Sequence, residues 1–200
     1  VRNGLERQAR QMLGGDLVLI ADHPWPAGHT AEAAGRGLQV AETMTFPSMV
    51  MGSAQAQLAD IKAVSGGYPL RGQLTASTGG KTTVGGSPQP GTVWLDERLA
   101  GALNAAPGET VTVGNRQLAV AAILIQEPDR GINFFSLAPR LMMHADDIPS
   151  TGLIQNGSRV SYRLLVAGDD RAVAGFRKWL SSRLARGERL EDIGNARPEL

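Results

Sequence analysis

Apolar positions in residues 1–13 (Leu5, Ala9, Met12 and Leu13) stand at spacings of four, three and one among Arg2, Glu6, Arg7 and Arg10. That is one stripe on a helix, and Gly14-Gly15 ends it. Leu17-Val18-Leu19-Ile20 then gives four consecutive apolar residues, the pattern of a strand buried on both faces. A Pro-rich turn at 22–26 precedes a short Ala-rich helix at 31–35. Residues 38–46 alternate, with Val40, Glu42, Met44 and Phe46 on one parity, and predict a second strand. Two further strands are expected at 48–53 and 58–64, so that this part reads as two short β-α-β units.

From Ser65 to Gly91 the chain is rich in Gly, Ser and Thr without a sustained apolar pattern. It predicts a loop or an extended hairpin arm, turning at Gly79-Gly80 and Gly85-Gly86. Thr92-Val93-Trp94-Leu95 is the next strand, and Asp96-Glu97 opens a short helix carrying Leu99 and Leu103, with Asp96 as N-cap. Pro107-Gly108 leads into the strand Thr110-Val111-Thr112-Val113, Gly114-Asn115 makes a tight turn, and 118–125 is its partner. Asn156-Gly157 is a turn signal before the alternating run 159–166. Asp169 or Asp170 then caps an amphipathic helix with Val173, Phe176, Leu180 and Leu184 on one face. Gly187 stops it, and 189–193 returns as a last strand. The ends are α/β and the middle is β-rich, which predicts an insertion architecture: one subdomain made of both termini with a second spliced between them.

Composition narrows the function. Lys plus Arg number 20 against 19 Asp plus Glu, a formal charge of +1, which leaves no basic surplus for a nucleic-acid face. Lys62, Lys81 and Lys178 are the only lysines among those cations. The absence of cysteine excludes disulfides, thiolate metal sites and cysteine nucleophiles. No run approaches the roughly 18 apolar residues of a membrane-spanning helix. The chain opens on Val1-Arg2-Asn3 without Met, which suggests a piece of something longer.

The chemical motifs are thin. Gly80-Lys81-Thr82 carries part of a phosphate-binding loop, but Thr75 stands where the first glycine belongs, and Gly85-Gly86-Ser87-Pro88 forbids the helix that must follow. Of the three histidines, His23 and His29 flank a Pro-rich turn and His144 stands apart, a poor metal set. Asp22-His23 suggests a dyad for a distant Ser, without any Gly-x-Ser-x-Gly elbow. Glu127-Pro128-Asp129-Arg130-Gly131 and Asp146-Asp147 are the densest polar clusters, and the latter reads as a cap before Ile148-Pro149. Asn156-Gly157-Ser158 matches a glycosylation triplet but reads as a hairpin turn. Phe134, Phe135, Leu137, Leu141, Met142 and Met143 form an apolar cluster that reads either as core or as a partner or substrate surface.

The order of these phrases carries a resemblance. Gly91-Thr92-Val93-Trp94-Leu95-Asp96-Glu97, then Pro107-Gly108-Glu109-Thr110-Val111-Thr112-Val113-Gly114, then the apolar run 118–126 resembles the periplasmic core domain of MacB/FtsX/LolC-type ABC transporter permeases. Phe46-Pro47-Ser48-Met49, Tyr68-Pro69-Leu70-Arg71-Gly72, Glu127 to Gly131, 134–140 with Met142, Thr151-Gly152-Leu153 and 158–168 are similar to its YbbP-type branch. The resemblance implies a mixed α/β (α+β) fold. A porter-like α/β subdomain would comprise 1–64 and 155–200, and an inserted β-rich sabre-like subdomain 65–154. Residues 1–13 would continue a stalk from one membrane helix, and 197–200 would lead to the next.

The function implied is non-enzymatic, without catalytic residues, cofactor or metal. It is the relay of ATP-driven movement to a lipid, lipoprotein or peptide substrate or a periplasmic partner, at the periplasmic face of the bacterial inner membrane. The implied partners are a cytoplasmic ABC ATPase subunit, reached through the rest of the permease, and a periplasmic lysophospholipase/thioesterase. Nucleic acid is not among them, and the isolated domain is expected to be monomeric. Two rival readings remain at this point: a free-standing periplasmic lipid- or peptide-binding protein, and a small hydrolase using Asp22 and His23.

Overall fold

A computed structural model describes residues 1–130 and 138–194. Its elements in chain order are α1 (Arg2–Leu13), β1 (Leu17–Ala21), α2 (Ala27–Gly35), β2 (Gln39–Met51), β3 (Ala56–Val64), β4 (Thr75–Thr78), β5 (Lys81–Val84) and β6 (Thr92–Asp96). There follow α3 (Glu97–Leu103), β7 (Thr110–Val113), β8 (Arg116–Gln126), β9 (Arg140–His144), a 3₁₀ turn (Ala145–Asp147), α4 (Ile148–Thr151), β10 (Ser161–Ala167), α5 (Asp170–Ser181) and β11 (Glu188–Asp192).

The mixed fold expected from the sequence is present, with a spatial order the sequence did not reveal. One part is an open sheet ordered β11-β1-β10-β2, every neighbour antiparallel. β1-α2-β2 encloses β10 and β10-α5-β11 encloses β1, so the two β-α-β units are split and interlocked in the ferredoxin-like manner. α2 and α5 cover one face. Leu17, Leu19, Leu164 and Val166 of the sheet meet Ala33, Phe176 and Leu180 there.

The other part is a closed ring. β2 pairs with β3, β3 with β9, β9 with β6, β6 with β8, β8 with β7, and β7 returns to β2 through Val50↔Val113 and Met51↔Thr112. Alternate residues of all six strands fill its interior: Phe46, Val50, Ile61, Val93, Leu95, Val111, Val113, Leu118, Val120, Leu141 and Met143. Closure leaves these strands without a free edge over the paired stretch. β2 serves both parts, since 39–45 pair with β10 and 43–51 with β3. A third cluster fills the space between ring and open sheet, with Trp94, Met142 and Leu124 on one side and Val18, Ile20 and Leu165 on the other.

The two strands expected at 38–46 and 48–53 are a single strand. Pro47 sits inside it without breaking it. Its partner Asp60 turns its own N–H to Pro139 O at 2.8 Å, away from β2, so Pro47 nitrogen also points away from β3. On that other edge β10 pairing ends at Thr45 and β7 pairing starts at Val50, and the missing donor falls in the gap. The run 65–91 does contain the expected arm, the hairpin β4–β5. Its turn is Gly79-Gly80, with φ of 58° and 80°, the left-handed pair a two-residue hairpin needs. Lys81 therefore stands on a strand, not at the start of a phosphate-binding helix.

Candidate functional site: a charged clamp at the root of the first helix

α1 hardly packs against the body. Leu13 is its single buried residue, while Leu5 and Met12 are 63% and 49% exposed. Its attachment is made instead by polar groups gathered where it ends. Gly14 caps it in the left-handed region at φ 74°, and the Gly14 carbonyl accepts from Leu70 N–H (3.0 Å) and Arg71 N–H (3.1 Å). Two residues on, the buried carboxylate of Asp16 gathers the surrounding elements. Oδ1 accepts from Arg10 Nη1 (3.2 Å) and Arg71 Nε (3.0 Å), and Oδ2 from Arg71 Nη2 (2.9 Å) and Gly168 N–H (3.0 Å). The Arg71 contact is bidentate, the geometry in which guanidinium and carboxylate hold each other most firmly. Arg10 also reaches Asp170 Oδ1 at 3.3 Å. Burial by itself would lower the Arg10 pKa; the charges of Asp16 and Asp170 outweigh it and hold the group above its ordinary value. One carboxylate thus joins α1, the 70–72 loop and the turn between β10 and α5.

Behind this clamp lies a second, buried set of charges on the outer wall of the ring. Lys62 on β3, 4% exposed, uses all three ammonium donors: Tyr68 Oη at 2.8 Å, Glu127 Oε2 at 2.7 Å and Asp129 Oδ2 at 2.9 Å. The Tyr68 hydroxyl donates to Asp129 Oδ1. Arg140 on β9 reaches Glu127 through Nε (3.0 Å) and Nη2 (3.3 Å), and Asp60 through Nη1 (3.0 Å). Burial works to raise the Glu127 pKa, but Lys62 and Arg140 overcome it and leave the carboxyl below its ordinary range. Burial, followed by the charges of Asp129 and Glu127, pushes the Tyr68 phenol well up, so it is a neutral donor at any physiological pH.

The two sets touch. A side chain on Gly14 would meet Asp129 Oδ2 at 3.2 Å, and one on Gly72, which has φ 78°, would meet Pro128 at 2.9 Å. Segment 127–129 is therefore pressed between the helix root and the ring, and a displacement of α1 has stiff neighbours to act on.

Of the apolar cluster expected as a partner or substrate surface, Phe134, Phe135 and Leu137 lie outside the described residues. Leu141, Met142 and Met143 belong to the core and not to a partner or substrate surface. All three are fully buried on β9, with Leu141 and Met143 inside the ring and Met142 in the layer beyond it. A strand covered on both faces buries consecutive apolar residues, which accounts for the unbroken run.

His23 sits at the edge of the open sheet. Its Nδ1 lies 2.6 Å from Asp22 Oδ1, and Nε2, the atom a Ser–His–Asp arrangement turns to a hydroxyl, faces Glu188 Oε2 at 3.4 Å. A hollow of about 460 Å³ nearby is lined by Asp22, Ser161, Glu188 and Arg189 but not by His23. The arrangement fits a tie between β1 and β11 better than a nucleophile's base.

The buried charges behind the clamp were partly visible in the sequence. Segment 127–131 stood out as polar, but Lys62 did not, although a lone lysine inside Ile61-Lys62-Ala63-Val64 in a chain with so few lysines was a usable signal.

No family model matches the chain. It is 39% identical over 184 residues to the "Uncharacterized ABC transporter permease YbbP" of Escherichia coli (strain K12). That match covers 92% of this chain and 22% of the relative. Among solved structures it is similar to the periplasmic region of MacB from Actinobacillus actinomycetemcomitans, at TM-score 0.53 and 15% identity, covering 92% of each chain. It is also similar to the extracellular domain of the noncanonic ABC-type transporter YknZ from Gram-positive bacteria, at TM-score 0.54 and 10% identity, covering 88% of this chain and 100% of that one. A domain of a putative permease from Porphyromonas gingivalis matches at TM-score 0.53 and 10% identity over 94% of each chain. The solved structures establish a shared fold, and the YbbP match joins it to a sequence relationship over nearly the whole chain. The chain has a MacB-like fold, and over nearly its whole length it is similar to one segment of an ABC transporter permease.

Proposed function

We propose that this domain is a transmission element. It would relay ATP-driven movement, generated on a separate cytoplasmic ATPase subunit, through α1 into the ring and the open sheet, and so act on a lipid, lipoprotein or peptide or on a periplasmic protein at the periplasmic face of the inner membrane. A periplasmic lysophospholipase/thioesterase is one such partner. The residues described act by holding and transmitting; none is assigned a catalytic role. The observation that carries the reading is the attachment of α1: a largely exposed helix whose hydrogen bonds to the rest of the described residues lie at its root, in the Asp16 clamp and at the Gly14 carbonyl. A helix held in that way acts as a lever, because force along it is delivered to a few stiff contacts and not spread over a soft packed face. Asp192, at the end of β11, pairs with Leu17 at the start of β1, beside the helix root. Both ends of the described chain thus enter the body at one end of the sheet, as attachment to a single membrane requires.

The test uses the intact permease with its ATPase in membranes. Spin labels at Glu6 on α1 and Thr112 on the ring should report a distance distribution that changes between nucleotide-free and ATP-trapped states. Asp16→Asn should blunt that change while ATP is still hydrolysed. A distance indifferent to nucleotide in the unmodified clamp would sink the reading.

A further inference from the structure

Beside β2 and β10 lies a small notch of about 210 Å³, lined by Pro24, Trp25, Glu42, Thr43, Met44, Ala145 and Tyr162. Its walls are largely apolar and aromatic. The rings of Trp25 and Tyr162 stand 6.4 Å apart at 87°, two adjoining walls at right angles. Met44 and Tyr162 are direct cross-strand partners, and Glu42 lies two residues before Met44 on the same strand face. Glu42 is the single charged residue of the lining, it is half-buried, and its carboxylate has no ion pair or hydrogen bond among the described residues.

A half-buried carboxylate with no partner is poorly placed in an apolar notch unless something positive joins it. A metal ion is a poor candidate, since hard cations ask for several oxygen ligands and no group of three or more metal-ligating side chains occurs among the described residues. A neutral apolar ligand would leave Glu42 unanswered. An organic ammonium ion satisfies both halves: its charge is drawn to the carboxylate and to the electron-rich ring faces, and its carbon-bound substituents (methyl groups above all) suit tryptophan, methionine and proline. The size agrees, since drug-sized ligands occupy roughly 300 Å³ or more and this notch is smaller, of headgroup dimensions.

We infer that the Trp25–Glu42–Tyr162 notch is a binding site for a small organic ammonium group, free or as the amine of a phospholipid headgroup. The site does not depend on the transmission reading. Neither Asp16 nor Lys62 lines it.

The test titrates the protein with choline and with ethanolamine, followed through the indole signals of the tryptophans, against 3,3-dimethylbutan-1-ol, the uncharged isostere of choline. Choline should saturate one site and the alcohol should bind at least about tenfold more weakly. Glu42→Gln, which keeps shape and size, should weaken choline roughly five- to tenfold and leave the alcohol unchanged. Tyr162→Leu should weaken both amines, with thermal unfolding showing that the fold is retained. Short-chain phospholipids carrying the same headgroups identify the source: binding at least as tight as that of the free amine points to lipid, and binding of the free amine alone points to a solute. Either result supports the assignment. Equal binding of choline and its isostere, no effect of Glu42→Gln, or preferential binding of a lysine amide, which would make the occupant a protein, overturns it.

Discussion

Lys62 Nζ and Asp129 Oδ2 lie 2.9 Å apart across 67 positions of sequence, both side chains almost wholly out of water. Glu127 and Tyr68 complete the ammonium's coordination. The consequence is asymmetric. The cluster contributes modestly as a whole, because desolvation offsets much of its Coulomb attraction, yet removing one member strands the rest. Lys62→Met is therefore expected to cost about 3–5 kcal/mol in urea unfolding. A loss below about 1 kcal/mol would mean that water reaches these carboxylates.

Glu127 sets the acid limit. Its folded pKa lies below the ordinary carboxylate value, so its contribution to stability is fully present above the unfolded pKa, near 4.3, and is lost as pH falls through the lower folded value. Urea midpoints measured from pH 6 down to pH 3 should fall, and Glu127→Gln, already destabilised at pH 6, should show a flatter dependence over that window. Parallel curves for the two proteins would contradict the assignment.

How much of this was legible in the sequence depended on distance along the chain. The Asp96 cap, whose Oδ1 accepts from Leu99 N–H at 2.8 Å, the Gly79-Gly80 turn and the amphipathic α5 are local devices, and local chemistry announced them. Ring closure rests on two residue pairs between β2 and β7 about sixty positions apart, and the interlocking of β1, β10, β2 and β11 on pairings from opposite ends of the chain. No local pattern encodes these. The clamp is non-local in the same way: Asp16 stands just before β1, and only the fold brings Arg71 and the Gly168 amide to it. The Glu42 notch was hidden because the alternation that revealed β2 treats Glu42 merely as a polar position, while its aromatic neighbours come from a turn and from β10.

The burial of the β9 run makes its own prediction. Leu141 is fully enclosed within the ring, so Leu141→Ala should destabilise by about 2–5 kcal/mol, the lost transfer energy plus the cavity left behind. A docking residue would show little change in unfolding and a loss of partner binding instead. Chemical denaturation of this single variant separates the two roles.

His23 gives a pH dependence of the opposite sense. Its hydrogen bond to Asp22, with the charges of Asp22 and Glu188, outweighs desolvation and raises its pKa above 6.5. A raised histidine adds stability that is fully present below the unfolded value, near 6.5, and is lost as pH rises through the folded one. The effect is local, at the β1–β11 edge. Imidazole shifts in NMR should titrate above pH 6.5, and amide exchange in β11, corrected for intrinsic rate, should quicken over the same range. His23→Gln should remove the second trend.

Asp16 is the position where stability and transmission separate. Asp16→Asn keeps the side chain's size and can still accept from one donor, but it gives up the charge that Arg10 and Arg71 share. Arg71 is about one-third exposed and can turn to water, so the penalty falls mainly on the Gly168 amide and on the registry of α1 with the 70–72 loop. A global loss of about 1–3 kcal/mol is expected, since one charged partner of a partly buried network is neutralised. The local effect should be larger: hydrogen exchange at Leu70, Arg71 and Gly168 should accelerate well beyond what the global change explains, while the ring strands β6 and β8 follow global stability alone. If all these amides accelerate together, the clamp is ordinary packing and α1 is not held as a separate lever.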